Sequence, residues 1–544
     1  MQQPPTAPDI DQPTGNLAER VRRAAATGAH RPALIWHDRT ITWGELDIRI
    51  DEVAYALAQL APPDDGQPPR IAIALPNSPD FAVAFFATLR AGLVAVPVNP
   101  AFTARELRHV LADSGAAQLI CTEQVRELLT GFRDDLPALS AVHTALPAAP
   151  GGPPRPAAVT DAGDLAVLLY TSGTEGWPKG AMLSHRALLA NHAQLARIEP
   201  PVVGRDDRLL LALPLFHAYG LNSGLGAIAY HGACGVLIDR FDPAEALAAI
   251  GRHQVTAVIG VPSMFAAWSS LPAAAPMTSL RVAVCGAAPL EAPVAARFTE
   301  LTGQPVFVGY GLTETAPVLT STLASPQAKI GSIGRPIPGV ELRLLGPDGG
   351  ELWRDGAAGP ELDDEDGWDL DVESLGTDPG EIVVRGANLF SGYWPDGRDG
   401  PDAEGWWATG DIAYADLDGD LFLVDRLREL ILVNGFNVYP REIELVLQTH
   451  PGVAEAAALA VPDPQTGQAV KVYLVRTPGS TVAEEEVLRH CERNLARFKC
   501  PGSVEFVDTL PHSAIGKVRK SMLRTASNAE PGASTRPEER GAGE

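Results

Sequence analysis

Cysteine is scarce. The chain has five in 544 residues (Cys121, Cys234, Cys285, Cys491 and Cys500), scattered and with no CxxC pair. That pattern excludes a zinc ribbon and a disulfide framework, and leaves reduced thiols in a cytoplasmic setting as the expectation. Basic charge is in deficit: 43 Lys and Arg against 67 Asp and Glu give a net charge of −24 and a pI near 4.9. Nucleic acids and anionic membranes need a basic face, so neither is expected as a partner, although a local basic pocket for a nucleotide is still allowed. Long apolar runs are missing too. The most apolar stretch, 209–238, is interrupted by Pro214, His217, Asn222 and several glycines, so buried strand and helix fit it better than a membrane span. Residues 1–16, MQQPPTAPDIDQPTGN, are polar and proline-rich with no apolar h-region, which argues against a signal peptide.

At 544 residues the chain exceeds one hydrophobic core, so two or more domains are expected. An apolar content of 45% and a mean hydropathy of +0.01 suit a globular chain. Residues 1–15 read as disordered. A helix is expected over 17–26, a hairpin over 34–41, and a helix from Trp43 with Thr42 as its N-cap. Strand 70–75, helix 78–91 and strand 94–98 follow as a βαβ unit, which argues for a parallel sheet.

The rest of the chain is arranged around 168–185, LLYTSGTEGWPKGAMLSH. An apolar strand over 166–170 breaks into a loop of Thr171, Ser172, Gly173, Thr174 and Gly176, closed by Pro178, Lys179 and Gly180. Glycines let backbone N–H groups approach an anion, the hydroxyls add donors, and Lys179 adds a cation: the chemistry of a polyphosphate grip. A Walker A loop is excluded, because Lys179 is followed by Gly180 and not by Ser or Thr at a helix start. Alone, such a loop is as readily an ordinary turn.

Later stretches add chemistry. In LLLALPLFHAYGLNSGL (209–225), His217 and Tyr219 follow a strand and Pro214; alone, His217 also reads as a packed histidine. In VFVGYGLTETAPV (306–318), a strand turns at 309–311 and leaves Thr313, Glu314 and Thr315 at its C-terminal edge, where open α/β sheets bind ligands. A carboxylate suits the hard cation that nucleotide chemistry needs, so Glu314 is the candidate Mg²⁺ ligand. Thr313 offers a donor to a phosphate and Tyr310 a stacking face. A strand-end turn with one exposed acid is the competing reading. Asp411, after Thr409 and Gly410, can accept hydrogen bonds from both ribose hydroxyls. The acidic run 361–381 reads as a solvated insertion. DLDGD (416–420) lacks the rest of an EF-hand loop and reads as a hairpin turn. Residues 429–524 read as a compact α+β unit ending in a Gly516–Lys517 turn, and 525–544 as a disordered tail.

In their order these stretches resemble the acyl-adenylate-forming superfamily: acyl-CoA synthetases, adenylation domains of peptide synthetases, and beetle luciferases. The resemblance runs over about 15–525. It implies an α/β fold with a large N-terminal domain of mixed sheets flanked by helices (16–425, with the acidic insertion near 355–380). A small mobile α+β C-terminal domain (426–524) would be joined to it by a hinge at 425–428. It implies ATP, Mg²⁺ and CoA as cofactors. Thr171, Ser172, Gly173, Thr174, Gly176 and Lys179 would hold phosphates, with Thr174 beside Glu314 at the metal. Gly286, Ala287 and Ala288 of RVAVCGAAPL (281–290), with Tyr310, Gly311 and Thr315, would surround the nucleotide. Asp411 and Arg426 would meet ribose or phosphate, His217 and Tyr219 would border the carboxylate substrate, and Gly435 would line a pantetheine channel. Lys517, Thr313, Glu314 and His217 are the implied catalytic set. Lys517 would be a mobile cation that lowers the repulsion between two anions as an acyl phosphate anhydride forms.

The implied reaction is a two-step ligation, carboxylate to acyl-adenylate and then to thioester, with CoA as acceptor. Small or apolar Gly220, Leu221, Gly224, Gly286, Ala287, Pro317 and Val318 suit a medium- or long-chain fatty acid; an aryl acid fits almost as well. An acyl-AMP ligase serving a carrier protein, a luciferase-like oxygenase and a non-catalytic adenylate-binding protein are the rivals, and a homodimer is allowed. Glu175, Trp177, Leu432 and Ile515 depart from the family pattern.

Overall fold

The computed structural model describes all residues except 1–14, 60–66, 150–160, 172–177, 272–277, 357–375, 427–428, 434–435, 464–465, 514–515, 521 and 524–544. The expected disordered ends, most of the acidic insertion, and Gly435 therefore lie outside the described residues. The chain divides into two compact units, Met1–Leu423 and Val424–Glu544. The division falls inside the strand Leu421–Arg426, two residues ahead of the boundary read from the sequence.

Local chemistry sets the helix starts. Thr42 caps Trp43–Leu57 by accepting from the Glu45 N–H, and Glu45 Oε2 accepts from the Thr42 N–H at 2.8 Å. Thr103 and Glu106 form the same reciprocal box ahead of Ala104–Ser114. Ser78 caps Pro79–Arg90, with proline at the first position, where its missing N–H is no loss. Every residue of that helix but Asp80 is buried. Its last residue, Arg90, is buried against Asp47 (2.6 Å) and Asp51 (3.0 Å), so the charge is paired.

Among the described residues the first unit holds three sheets. In the nine-stranded sheet six neighbours are all parallel. In spatial order they are Val306–Gly311, Val282–Cys285, Ala257–Gly260, Arg208–Leu211, Cys234–Leu237 and Pro32–Trp36. Antiparallel Val318–Ser321 and Arg335–Pro336 extend one edge, and Arg39–Thr42 the other. The central strands are short and apolar throughout, as expected of parallel strands covered on both faces. The six-stranded sheet runs Ala141–His143, Gln118–Cys121, Arg70–Ala74, Val94–Pro97 and Leu165–Thr171 in parallel, then antiparallel Lys179–Ser184. The third sheet has five strands from Val340 to Arg426.

The second unit has a long antiparallel pair, Val453–Asp463 with Gly467–Arg476. Ser503–Phe506 adds in parallel, and Pro440–Gln448 and Glu484–Asn494 supply the helices. Its core gathers Ile431, Ile443, Leu447, Val472 and Leu474. The DLDGD turn is a hairpin, as read, but its three acids share a partner the sequence reading missed. Lys329 Nζ lies 2.6, 2.6 and 3.2 Å from Asp416, Asp418 and Asp420.

Candidate active site

The strand Val306–Gly311 delivers Tyr310 to the C-terminal end of the nine-stranded sheet, and the turn Thr313–Thr315 follows. Gly311 is required there: a Cβ would lie 1.8 Å from the Pro317 carbonyl oxygen. Thr315 is fully buried, its hydroxyl within reach of the Pro317 and Leu312 carbonyls at 2.6 and 3.0 Å. Its hydroxyl is occupied by main chain and holds the turn that presents Thr313 and Glu314. Asn388, also fully buried, braces the turn from behind by donating to the Thr315 carbonyl at 2.8 Å.

Glu314 is 7% exposed. The Tyr393 hydroxyl donates to its Oε1 at 2.6 Å, and the Phe390 N–H donates to its carbonyl at 2.8 Å. Lys179 Nζ lies 5.1 Å from the Tyr393 ring centroid and 3.2 Å from Asp399 Oδ2. Lys179, Tyr393 and Glu314 thus form one connected group drawn from three distant segments. Lys179 opens Lys179–Ser184, which pairs antiparallel with Leu165–Thr171, so the Thr/Ser/Gly loop joins two strands. No helix N-terminus follows it, which separates it from a Walker A loop in geometry as well as in sequence. Thr171 ends the first strand with Oγ1 3.5 Å from the Lys179 carbonyl; Ser172, Gly173, Thr174 and Gly176 lie outside the described residues.

The second acid, Asp411, is buried on the strand Trp406–Ala415 and accepts the Tyr310 hydroxyl at 2.7 Å. Its N–H donates to Thr409 Oγ1 at 3.1 Å. Nearby Glu381 has its pKa raised by burial and by the charge of Asp411, and accepts the Gly410 N–H. Arg426 ends its strand, and its side chain lies outside the described residues.

On the acyl side, Gly286, Ala287 and Ala288 leave the end of Val282–Cys285. The buried Tyr219 side chain lies across Gly286, where a Cβ would come 3.1 Å from two ring carbons and the hydroxyl oxygen. Ala287 has φ +72°, a left-handed conformation uncommon for alanine and typical of ligand-facing turns. His217 Nδ1 accepts the Tyr219 N–H at 3.3 Å, so the two expected pocket residues fix one another. A Cβ at Gly220 would strike the Pro214 carbonyl at 2.3 Å, and one at Gly224 would come 3.2 Å from Leu211. Both let the π-helix Tyr219–Gly226 approach its neighbours closely.

In the second unit Lys517 sits in a tight turn. Its N–H donates to Ser513 Oγ at 3.1 Å, the Ser513 N–H donates to its carbonyl at 2.8 Å, and Gly516 takes φ +76°. Lys520, which the sequence reading passed over, is held between Glu429 (2.7 Å) and Glu444 (2.8 Å). Tyr393 and Asp399 were missed too; the only hint was the aromatic and glycine cluster SGYWPDG at 391–397. Among the described residues no three His, Cys, Asp or Glu side chains are placed to hold a metal, and no helix is long and apolar enough to cross a membrane. A Mg²⁺ carried on substrate phosphates needs one carboxylate and no cage, and Glu314 Oε2 fits that role.

Comparison with known proteins places these features in context. The AMP-binding enzyme family profile matches residues 21–394, and the AMP-binding enzyme C-terminal domain matches 442–517. The chain is 37% identical over 515 residues to a feruloyl-CoA synthase of Amycolatopsis, covering 92% of this chain and 97% of that one. It is 35% identical to a long-chain-fatty-acid–CoA ligase of Yersinia pestis, covering 94% of each. The crystal structure of ATP-bound MatB from Rhodopseudomonas palustris superposes with a TM-score of 0.81 at 30% identity, over 95% of this chain and 99% of that one.

Proposed function

The chain belongs to the AMP-binding enzymes of acyl-CoA ligase type, and from that premise we propose that it activates a compact aromatic carboxylic acid as the acyl-adenylate and passes it to CoA. The observation that carries the adenylate step is the pairing of Glu314 with Tyr393 and of Asp411 with Tyr310, with Lys179 over the Tyr393 ring. Two fixed acids and one cation around a strand end suit a nucleotide whose ribose and phosphates need opposite partners.

In the first step the substrate carboxylate attacks the α-phosphorus of ATP and pyrophosphate leaves. In the second the CoA thiol sulfur attacks the acyl carbon and AMP leaves. Thr313 and Lys179 receive phosphate oxygens, Asp411 accepts from ribose hydroxyls, and Tyr310 and Tyr393 keep the two acids aimed. Glu314 would hold a Mg²⁺, whose charge would offset that of the phosphates. Lys517 supplies the cation for the approach of carboxylate to phosphate, and His217 steadies the substrate wall. The work is positioning and charge neutralisation.

For the acid, the Tyr219 ring over Gly286 supports a flat substrate. A fatty acid is the second reading. The apolar lining and the 35% identity to a long-chain-fatty-acid–CoA ligase favour it. ATP–pyrophosphate exchange followed by CoA capture, run over ferulate, benzoate, decanoate and palmitate, tests both. Aromatic acids should lead, and Tyr219→Ala should shift preference to the longer chain. Exchange that survives Lys517→Ala and Glu314→Gln unchanged overturns the site.

A further inference from the structure

The parallel strands of the nine-stranded sheet have two ends, and the candidate active site uses only the C-terminal one. At the N-terminal end, Arg31 enters Pro32–Trp36, Arg205 precedes Arg208–Leu211, and His231 precedes Cys234–Leu237. The helix Glu19–Gly28 packs on Ala227–His231 and adds Arg20 and Arg23. With Tyr230, these side chains line a cavity of about 110 Å³.

The guanidiniums are held in place with little neutralisation. Arg20 lies 4.5 Å over the Tyr230 ring, and Tyr230 stacks on buried His192 at 5.2 Å. His192 Nε2 is in turn 2.9 Å from Asn222 Oδ1, so the platform is fixed from inside. Arg205 donates to the Thr27 carbonyl at 3.0 Å, and Arg31 to the Arg205 carbonyl at 2.7 Å. The acids nearby are weak partners. Arg31 reaches Asp206, which is 90% exposed, and Arg23 is 4.0 Å from Glu19. Asp207 is occupied by Arg281 at 2.7 Å. Among the described residues Arg20 and Arg205 have no carboxylate within ion-pair distance, and exposed pairs such as the other two contribute little. Burial lowers the Arg20 pKa from its ordinary value, as it does for a cation short of a counter-charge. Four guanidiniums around one small cavity, in a chain of net charge −24, form a local excess that planar donor forks fit to phosphate oxygens.

We propose that this cavity is an anion site for a phosphate monoester group, borne on a free small molecule or on a lipid headgroup, at the sheet end opposite the candidate active site. The full chain is titrated by calorimetry with glycerol 3-phosphate, and co-pelleted with phosphatidylcholine vesicles with and without phosphatidate. Saturable binding of glycerol 3-phosphate identifies a free ligand; pelleting only with phosphatidate identifies a headgroup. The double variant R23Q/R205Q, at two exposed positions outside the adenylate machinery, weakens the observed binding about tenfold or more and leaves ATP–pyrophosphate exchange within about twofold. R23K/R205K, which keeps charge but loses the planar fork, falls between the two and separates recognition from misfolding. Lys179→Ala leaves this binding intact. The proposal is overturned if neither probe binds, if R23Q/R205Q binds as wild type does, or if Lys179→Ala abolishes binding.

Discussion

The two ends of one sheet are built from opposite chemistry. At the C-terminal strand ends two acids, Glu314 and Asp411, are nearly buried and each accepts a tyrosine hydroxyl. At the N-terminal ends four guanidiniums face a cavity, with Arg31 and Arg205 resting on carbonyls and Arg20 on an aromatic ring. The acid end cannot hold phosphate by itself. It needs Lys179, loop N–H groups and a metal to offset its own charge, and those are the ingredients of catalysis on a bound nucleotide. The arginine end can hold phosphate directly and has no group to activate it. A net charge of −24 describes neither end, because charge acts over about 10 Å at ordinary ionic strength.

The largest effect expected is at Lys517. Lys517→Ala should slow adenylate formation about 10²- to 10³-fold, as loss of a charge-stabilising group does. Thioester formation from a supplied acyl-adenylate should be far less affected, since no second anion must be approached. Single-turnover assays of the two half-reactions check this. Glu314→Gln should cost adenylation on the order of tenfold to a hundredfold and raise the Mg²⁺ concentration needed for half-maximal exchange. An unchanged Mg²⁺ dependence would remove Glu314 from the metal. Tyr393→Phe is smaller. It removes one hydrogen bond to a buried carboxylate, worth about 1.5–3 kcal/mol, so exchange should fall by roughly tenfold or more and the melting temperature by about a few degrees. If arginine-end substitutions slowed exchange as much as these do, the two ends would not be separate sites.

The sequence showed the elements and concealed the pairs. Thr42, Ser78 and Thr103 announce helices because capping is local, and Gly311 and Glu314 stand out because a strand-end turn is local as well. Tyr393 reaches Glu314 across 79 residues and Tyr310 reaches Asp411 across 101, distances at which no spacing rule operates. Lys329 lies 87 residues before the first aspartate it joins. At Gly220 the close approach of the Pro214 carbonyl was hidden, because smallness reads the same whether it admits a ligand or a neighbouring backbone. The arginine cavity draws on three segments, near 20–31, 205 and 230–231, and a census of charge averages it away.

The smallest effect is one of pH, and it bears on the arginine end. Burial holds the pKa of His185 at about 4, of His192 at about 3 and of His231 at about 4, so each is neutral in the folded chain. In the unfolded chain each takes up a proton near pH 6.5. As pH falls below 6.5 the unfolded state therefore binds protons that the folded state refuses. The stability present above pH 6.5 is lost progressively, down to about pH 4 for His185 and His231 and pH 3 for His192. At pH 5 the loss is up to about 2 kcal/mol per histidine, and His185→Gln should flatten this acid limb of the melting-temperature profile. His231 lines the cavity, so an anion bound there favours its protonated form. At pH 5 the ligand that binds the cavity should then recover part of the lost melting temperature in the wild-type chain and clearly less in R23Q/R205Q. Equal recovery in both would mean that the anion sits elsewhere.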